Sequence, residues 1–390
     1  MKKKIIFVTK ALWIGGIETA LVNLLKYFDY DKYDVTLLVL KAELDMLEQI
    51  HPKCRVLIAD REKTLTFQKR YRYSRLFHLT EETDNPSWLH RMMMWIVPMI
   101  RWVENRLYIR YIRKQMGRER FDTAVIYSDV AGETSIRSIK ADKYLMFYHH
   151  GAIRHVYHDK IAYKKCKKII TVSEHQAEAL KNFVPRYADK VIAVNNLADV
   201  NGIRGKSQET ISEKFDKGYF NIVTCGRISK EKGMDLAVEA CNRLIADGYK
   251  KIRWWIIGGG PAYSDVKKMV QKLKLESYVY MPGMKENPYP YIAKADLYVQ
   301  PSRFEGYPMS ILEAVILKKI VISTNNKGAQ EMLTNLKCGI LCKIDSIDLA
   351  EKISGLISDP QYYVEKKQEL EGIDFIKKNK EVLKQIETLL

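Results

Sequence analysis

The sequence predicts an α/β protein of two domains, each built on a doubly wound, mostly parallel sheet. Short runs of β-branched and aromatic residues, typical of buried strands, alternate with segments whose apolar residues recur at helical spacing. Glycine turns follow several of these strands. The alternation restarts after a polar, irregular stretch at residues 199–205. We therefore expect one domain over residues 1–200 and a second over residues 201–374.

Length and composition indicate a globular protein with an anionic partner. The chain has 390 residues, 47% of them hydrophobic, and a formal net charge of +18 at pH 7. Nucleic acid, an anionic membrane surface and a phosphate-bearing substrate would each suit that charge, and the number alone does not choose among them. The basic residues 2–4 precede an apolar run too short for a signal peptide, and no run approaches the roughly 20 residues that cross a bilayer. We expect a cytoplasmic protein whose 6 scattered cysteines are buried, reduced thiols.

The first half alternates strands and helices as a doubly wound sheet requires. The predicted strands cover residues 3–8, 35–40, 55–58, 122–127, 143–147, 168–172 and 191–194. The predicted helices cover residues 17–28, 88–117, 133–140 and 173–182. Gly15 and Gly16, between the first strand and the first helix, let the backbone approach a ligand closely, but they lack the spacing of a dinucleotide site.

Two other patterns in the first half have more than one interpretation. Asp29 and Asp31 spell a metal-binding triplet, but they lie in a helix-to-strand connection, so a solvated turn is favoured and no metal is expected. Residues 63–77 interleave cations with aromatic side chains. Such a segment can stack on nucleic-acid bases, line a groove for a phosphorylated or carbohydrate acceptor, or form a surface loop.

A tryptophan repeat marks the predicted helix at residues 88–117. Its three members recur every seven residues and so lie near one helical face. Pro98 is expected to kink or divide the helix. Tryptophan on a basic helix is typical of an element in the headgroup region of an anionic membrane. The alternative is a helical pair packed on the first domain with its cations in water. The candidate membrane or acceptor contacts are Trp88, Trp95, Trp102, Arg91, Arg101 and Arg106.

Histidines follow the strand predicted at residues 143–147. His149 and His150 stand just before Gly151, at the rim where α/β domains bind ligands. The alternative is an ordinary solvent-exposed turn.

The second half repeats the alternation and places cations at one edge of its sheet. The predicted strands cover residues 221–225, 252–257, 278–281 and 296–300, and a helix is expected over residues 235–245. Arg227, Lys230 and Lys232 lie between the first of these strands and that helix. Several cations beside a helix N-terminus can hold a diphosphate, although each turn taken singly could be an ordinary βα connection.

A loop with an acidic residue follows the strand predicted at residues 296–300. Glu305 precedes a helix that begins near Pro308, where unpaired N–H groups favour an anion. Glu313 lies about two turns further along, so the two carboxylates would occupy different depths of one cleft. One could hold a sugar ring and the other a ribose, or both could be ordinary solvated charges.

These motifs resemble the retaining, GT-B fold glycosyltransferases of the large family four, of the kind that makes capsular polysaccharide, exopolysaccharide or lipopolysaccharide. The residues concerned are 226–233, 256–261 and 302–314, with two glutamates separated by seven residues, and, more loosely, 15–21 and the histidine before Gly151. The resemblance implies two Rossmann-like domains facing across a cleft. It also implies a C-terminal helix near residues 375–390 that packs back on the first domain.

The resemblance implies roles for individual residues. The candidate donor-binding residues are Gly15, Gly16, Arg227, Lys232, Gly258, Glu305, Gly306, Tyr307, Pro308, Met309, Ser310 and Glu313. The candidate catalytic residues are Glu305, His150, Arg227 and Lys232, with His149 as the less favoured histidine. Residues 318–321 and 328–329 depart from the family pattern, but they remove no charged donor contact.

By this resemblance we expect transfer, with retention, from a nucleoside diphosphate sugar to a lipid-linked or growing saccharide of the cell surface. A UDP-hexose or a UDP-N-acetylhexosamine is the expected donor, and no metal or other cofactor is required. The protein would work at the cytoplasmic face of the membrane and bind no nucleic acid. The rival hypotheses are a nucleotide-sugar epimerase of the same fold and, less favoured, a nucleic-acid-binding protein.

Overall fold

The computed structural model describes residues 2–60, 88–128, 131–149 and 160–390. For residues 88–101 it describes the helical backbone and, among the side chains, that of Met99 alone. In the described part of the chain, parallel strands form two separate sheets. The first contains β1 (Lys3–Thr9), β2 (Tyr33–Val39), β3 (Arg55–Ile58), β4 (Phe121–Ile126), β5 (Ala141–Tyr148), β6 (Lys168–Thr171) and β7 (Val191–Ala193). Its order is β3-β2-β1-β4-β5-β6-β7.

The described helices of this half are α1 (Gly16–Tyr27), α2 (Trp88–Met116), α3 (Gly132–Ser138), α4 (Lys160–Lys165), α5 (Glu174–Phe183) and α6 (Val200–Lys206). Successive residues of a strand point to opposite faces of its sheet. In β1, Phe7 accordingly packs in one apolar cluster and Val8 in another. Both faces of the sheet are buried, which explains the continuous apolar runs of the sequence.

The second sheet contains β8 (Phe220–Cys225), β9 (Ile252–Ile257), β10 (Val279–Gly283), β11 (Leu297–Gln300), β12 (Ile320–Thr324) and β13 (Ile340–Cys342). Its order is β10-β9-β8-β11-β12-β13, and its strands are parallel. The helices around it are α7 (Met234–Ala246), α8 (Tyr263–Lys272), α9 (Tyr289–Lys294), α10 (Met309–Ile316), α11 (Lys327–Leu336), α12 (Ser346–Ser358) and α13 (Pro360–Gln368). Two doubly wound sheets are therefore present, as the fold class predicts.

The last helix, α14 (Phe375–Leu389), packs on the first domain. Its Ile386, together with Leu390, belongs to the apolar cluster on one face of the first sheet. The backbone oxygen of Leu390 accepts hydrogen bonds from Thr123 Oγ1 at 3.1 Å and Lys143 Nζ at 3.1 Å. Asn379 exchanges two hydrogen bonds with the backbone of Ala198, at 2.7 and 3.3 Å. The chain thus passes between the two domains twice.

One local prediction is wrong, and one of two alternatives given for another is excluded. The stretch expected to be irregular contains α6, because Asp199 caps the helix by accepting a hydrogen bond from the Gly202 N–H at 3.1 Å. The two glycines of this helix lower its intrinsic propensity and hid it from sequence analysis. Of the two outcomes expected at Pro98, a kink or a division of the helix, the structure excludes the division, because α2 runs unbroken through residue 98. A single proline removes one hydrogen bond from the ladder of a helix 29 residues long, and the remaining bonds sustain it.

Other expectations of detail agree with the structure. All six cysteines are buried and free of disulfides. Asp29 accepts hydrogen bonds from the backbone N–H groups of Asp31 and Lys32 at 3.0 and 3.3 Å, so this pair of acids forms the expected turn. The basic segment at residues 63–77 lies outside the described residues, as do His150 and Gly151.

Candidate active site

The candidate site lies where the strand order of the second sheet reverses. β8 and β11 are neighbours in the sheet, and doubly wound domains bind ligands outside the carboxyl ends of strands at such a reversal. The turn after β8 carries Arg227 and Lys232, and the loop after β11 carries Glu305. The topology therefore brings Lys232 to Glu305 across 73 positions of sequence.

Glu305 is the centre of a hydrogen-bonded network. Its Oε1 accepts from Lys232 Nζ at 2.7 Å, from Ser302 Oγ at 2.7 Å and from Gln300 Nε2 at 3.1 Å. The glutamate side chain is only 8% exposed and that of Lys232 is 25% exposed. A charged donor and two neutral donors offset the desolvation of the carboxyl group and hold it in one orientation.

Gln300, which sequence analysis did not select, orients the Glu305 carboxyl group through a hydrogen bond from its side-chain amide. The residue is fully buried at the end of β11. Its Oε1 accepts from Tyr298 OH at 2.8 Å and Ser310 Oγ at 2.9 Å, while its Nε2 donates to Ser302 Oγ at 2.7 Å and to Glu305. The amide thus uses its two donors and its two acceptor positions. A polar residue ending an otherwise apolar strand was the signal available in the sequence.

Arg303 is a second residue that the sequence did not single out. Its guanidinium donates to both carboxylate oxygens of Asp235, at 2.8 and 2.6 Å, and its backbone N–H donates to the Glu231 carbonyl at 2.8 Å. A bidentate arginine pair is geometrically specific. Arg303 therefore fastens the loop that carries Glu305 to the start of α7.

Arg227 lies at the mouth of the site but outside the Glu305 network. Its side chain is 68% exposed and stands 3.8 Å from the Glu231 carboxylate. It borders the glycine turn after β9, since a Cβ added at Gly260 would lie 3.1 Å from Arg227 Cγ. The sequence predicted that both cations converge with Glu305; the structure makes the direct contact through Lys232 alone.

Gly258 is required by the close approach of two turns. Its φ is +154°, and an added Cβ would lie 1.9 Å from the Gly226 carbonyl oxygen. Only glycine fits there, because the turns after β8 and β9 meet backbone to backbone. This edge of the cleft is therefore lined by main chain, which a phosphate can approach closely.

Glu313 occupies a less polar position, inside α10. Its Oε1 accepts a hydrogen bond from Tyr289 OH at 3.3 Å. Burial raises the pKa of Glu313 to about 7, and the bond from Tyr289 opposes that rise only partly. Glu305 and Glu313 thus stand in different environments, as the prediction of two depths in one cleft requires.

The remaining candidate donor contacts surround the start of α10. Pro308 is the N-cap residue, one position earlier than the first-turn position predicted, and no side chain caps this helix. Ser310 joins the network through Gln300, Met309 packs in the core of the second domain, and Tyr307 is partly buried against that core. The side chain of Met309 therefore supports the helix from within the domain.

The loop of Gly15 and Gly16, the candidate donor contact of the first domain, leads into α1. The first turn of α1 carries Glu18, a buried carboxyl group that sequence analysis did not select. A Cβ at Gly15 would lie 2.6 Å from Glu18 Oε2, so glycine makes room for this side chain. Burial raises the pKa of Glu18 to about 7, against the opposing effects of a hydrogen bond from Trp13 and the charge of Lys10.

His149 belongs to an aromatic stack at the end of β5. Its ring lies 4.6 Å from that of Tyr127 and 5.6 Å from that of Phe147, measured between centroids. The side chain is buried, so it packs as part of the first domain's edge. His150, the favoured catalytic histidine, remains a prediction because it lies outside the described residues.

The two domains meet at the loop that carries Glu305. A Cβ at Gly306 would lie 2.3 Å from Gln176 Nε2 and 3.2 Å from the His149 carbonyl oxygen, both in the first domain. On the other side of the loop, a Cβ at Gly328 would lie 2.5 Å from the Glu305 carbonyl oxygen. The loop is therefore held between α11 and the end of β5 at His149, here called the histidine segment. His149 thus lies next to the candidate site.

Helix α2 has one buried face and one exposed face. Tyr108, Ile112 and Met116 are buried against the first sheet. The exposed face carries an apolar row: Met99 at 61% exposure, Trp102 at 56%, Leu107 at 48% and Val103 at 44%. The Arg106 guanidinium lies over the Trp102 ring, 4.1 Å from its centroid.

The candidate membrane contacts Trp88, Trp95, Arg91 and Arg101 belong to the same helix, but their side chains are not described. Within the described residues, no helix combines the length and the apolar character needed to span a bilayer.

Sequence comparison identifies the second domain. Residues 206–371 match the family Glycosyl transferases group 1. The N-acetylgalactosamine-N,N'-diacetylbacillosaminyl-diphospho-undecaprenol 4-alpha-N-acetylgalactosaminyltransferase of Campylobacter jejuni is 29% identical over 187 residues, covering 48% of this chain and 49% of that protein. The poly(ribitol-phosphate) alpha-N-acetylglucosaminyltransferase of Staphylococcus aureus is 26% identical over 206 residues, covering 52% of this chain and 41% of that protein. The chain spans about half, or less, of the length of these curated relatives.

Structural comparison covers the whole chain. The crystal structure of S. aureus TarM with Fondaparinux, alpha-GlcNAc-glycerol and UDP superposes with a TM-score of 0.70 at 13% identity, covering 99% of each chain. The structure of Anabaena HepE with UDP and glucose gives a TM-score of 0.68 at 14% identity, covering 99% of this chain and 100% of that one. Likeness at this level of identity shows the fold, here the GT-B arrangement. The match to the glycosyl transferases group 1 family covers residues 206–371, so the likeness to that family is a property of the second domain.

Proposed function

We propose that the protein is a retaining glycosyltransferase that moves a sugar from a UDP-sugar to a saccharide acceptor. The observation that carries this proposal is the 2.7 Å contact between Lys232 and Glu305 at the strand-order reversal of a group 1 domain. A cation for a diphosphate and an oriented carboxyl group for a sugar then stand side by side.

The diphosphate would lie between the N-terminus of α10 and the cations of the turn after β8. The helix start has no capping side chain, so its first N–H groups and its dipole can bind an anion. As the glycosidic bond loosens, the departing diphosphate gains negative charge. Lys232 and Arg227 would therefore stabilise the transition state more than the ground state. With these two cations in place, we propose that transfer needs no metal.

The sugar and the ribose would bind to the two glutamates. In the described network all three donors to Glu305 use Oε1, which leaves Oε2 to accept a hydrogen bond from a sugar hydroxyl. Glu313 would hold the ribose hydroxyls from inside α10. His150 would stand beside the reacting sugar, and closure of the two domains over it would exclude water and favour transfer over hydrolysis.

The relatives support a donor and an acceptor class. HepE and TarM carry UDP in their crystal structures, and the C. jejuni and S. aureus relatives are named for transfer of N-acetylhexosamines to a lipid diphosphate and to a phosphate-bearing polymer. We therefore propose a UDP-hexose or UDP-N-acetylhexosamine donor and a lipid-linked or growing cell-surface saccharide as acceptor. The exposed face of α2 and the net charge of +18 favour work at the anionic inner face of the membrane.

The test is turnover of a panel of UDP-hexoses and UDP-N-acetylhexosamines in excess chelator, with a lipid-linked acceptor pool. Lys232→Ala should lower kcat/KM by about 100-fold or more, because it removes a cation from the leaving group and also frees Glu305. Arg227→Ala should have a smaller effect, because that side chain is mostly exposed. Lys267→Ala, an exposed lysine of α8, is the control and should match the wild type.

Three results would contradict the proposal. The first is turnover that chelator abolishes, and the second is wild-type activity in Lys232→Ala. The third is a new sugar nucleotide formed from the donor alone, which would favour the epimerase. Salt-dependent binding to oligonucleotides without affinity for UDP would instead favour nucleic-acid recognition.

A further inference from the structure

A carboxylate of the second domain binds the N-terminus of a first-domain helix. Glu331, in α11, accepts hydrogen bonds from two consecutive backbone N–H groups at the start of α5. Its Oε1 is 2.8 Å from the Glu174 nitrogen and its Oε2 is 2.9 Å from the His175 nitrogen. Each oxygen thus takes one donor, across 157 and 156 positions of sequence. This pair of hydrogen bonds is here called the interdomain clasp.

The clasp provides acceptors for two backbone N–H groups that have no acceptor within α5. The first N–H groups of a helix have no intrahelical acceptor, and the positive end of the helix dipole favours an anion there. Within the first domain, Ser173 caps one of them, since its Oγ accepts from the Gln176 N–H at 3.3 Å. The two N–H groups before it, those of Glu174 and His175, donate to Glu331. Separation of the domains would return both N–H groups and the carboxylate to water.

The clasp lies next to the candidate site. Glu331 is one turn along α11 from Gly328, which packs against the backbone of Glu305. The start of α5 likewise brings Gln176 onto Gly306, on the opposite side of the same loop. Bonds between α5 and α11 therefore hold the first domain, including the histidine segment at residue 149, against the loop that carries Glu305.

We propose that Glu331 is a positioning residue: it fixes the closed arrangement of the two domains, in which His149 and Gln176 of the first domain lie against the loop that carries Glu305. The residue touches no substrate and acts through α5. This inference rests on the proposed function, because closure matters only if a donor lies in the cleft. The clasp requires α5 and α11 to lie together as they do here, so it would shift the equilibrium toward this closed arrangement.

The experiment compares wild type with Glu331→Ala and Glu331→Gln. The control is Glu178→Gln, an exposed glutamate of α5, the helix whose N-terminus Glu331 binds. Small-angle X-ray scattering with and without UDP measures closure, and circular dichroism checks the fold. Turnover measurements give kcat, the donor KM and the ratio of donor hydrolysis to transfer. Scattering needs neither the sugar nor the acceptor, so it tests the clasp independently of the activity.

We expect Glu331→Ala to keep a larger radius of gyration with UDP than the wild type. Its kcat for transfer should fall about 10-fold or more, with a higher share of hydrolysis, since two charge-assisted hydrogen bonds are lost. Glu331→Gln keeps one acceptor oxygen and should lie between the two. The control should match the wild type in every measurement.

Wild-type compaction by UDP in Glu331→Ala would overturn the inference, whatever the activity. So would a variant that loses activity in proportion to a loss of folded protein while the folded fraction compacts normally. If Glu331→Ala fails to fold, Glu331→Gln carries the same test. A wild type that compacts with UDP but turns over no UDP-sugar would contradict the proposed function and leave the clasp standing.

Discussion

At the scale of single residues, two glutamates of the same segment lie in different environments. Glu305 is surrounded by three donors, whereas Glu313 receives one hydrogen bond and lies in a desolvated place. The first environment orients a carboxyl group, and the second changes its proton affinity. Gln300 links Glu305 to Ser310 of α10, so the orientation of the carboxyl group depends on a residue with no access to solvent.

Gln300→Met should show that dependence. Methionine has a similar volume but no amide, so the hydroxyls of Tyr298 and Ser310 would lose a buried acceptor. We expect a loss of roughly 1–3 kcal/mol in the free energy of unfolding and a lower kcat with little change in donor KM. Denaturant unfolding and donor turnover measure the two effects. Gln271→Met, at an exposed position of α8, is the control; equal kcat in both variants would contradict the role given to Gln300.

Glu313 should make stability depend on pH. Its pKa of about 7 in the folded protein exceeds the ordinary value of 4.5, so between these values the folded state binds more protons than the unfolded chain. The contribution is therefore present at low pH and is lost as pH rises through about 7. Glu313→Gln stays neutral and should gain stability relative to the wild type by roughly 1–3 kcal/mol from pH 5 to pH 8.

Unfolding of the nucleotide-free protein at several pH values measures this difference. Glu276→Gln, at an exposed position, controls for loss of a glutamate as such. A difference between Glu313→Gln and wild type that stays constant or shrinks with rising pH would contradict the assignment.

At the scale of elements, the described part of α2 packs against the first sheet with one face and exposes apolar side chains to solvent on the other. Residues four positions apart, Tyr108, Ile112 and Met116, bind it to the sheet. The opposite face presents Met99 and Trp102 to solvent, with Arg106 over the indole ring. Large apolar side chains grouped on an exposed face with cations are typical of an interfacial helix.

Trp102→Ser should weaken binding to vesicles that contain anionic lipid, and the double variant with Trp95→Ser should weaken it further. The indole contributes apolar area at the headgroup level, so we expect roughly a 10-fold loss of affinity for each tryptophan. Vesicle sedimentation measures it. Val364→Ser, which also removes an exposed apolar side chain but in α13, is the control. Binding of Trp102→Ser equal to that of the wild type would return α2 to the role of a structural helix.

At the scale of the whole molecule, the two domains share a helix. α14 follows the second domain in sequence, yet Ile386 lies in the core cluster of the first. Ile386→Ala should therefore destabilise the first domain by roughly 2–4 kcal/mol, through lost burial and an unfilled cavity. Calorimetric unfolding of the full chain measures the shift. Ile376→Ala, on the same helix but 50% exposed, is the control, and an equal shift in both would contradict the packing role.

Sequence periodicity could predict the sheets, because both faces of the inner strands are buried and leave continuous apolar runs. The sequence also selected Lys232 and Glu305, which the structure brings into contact, since each follows a strand at a turn with glycine. It did not select Gln300, although a polar residue at the end of an apolar strand was a signal. It could not find Arg303 or Glu18, whose contacts depend on the fold. It missed α6 because a capping aspartate outweighs two glycines, and it could not foresee Glu331, which acts on another domain.

The two passages of the chain between the domains meet where Asn379 bonds to Ala198. Any rotation of one domain against the other would therefore bend both passages together at this junction, which would act as its pivot. Displacement grows with distance from a pivot, so a small torsional change at this junction becomes a wide gap at the opposite rim.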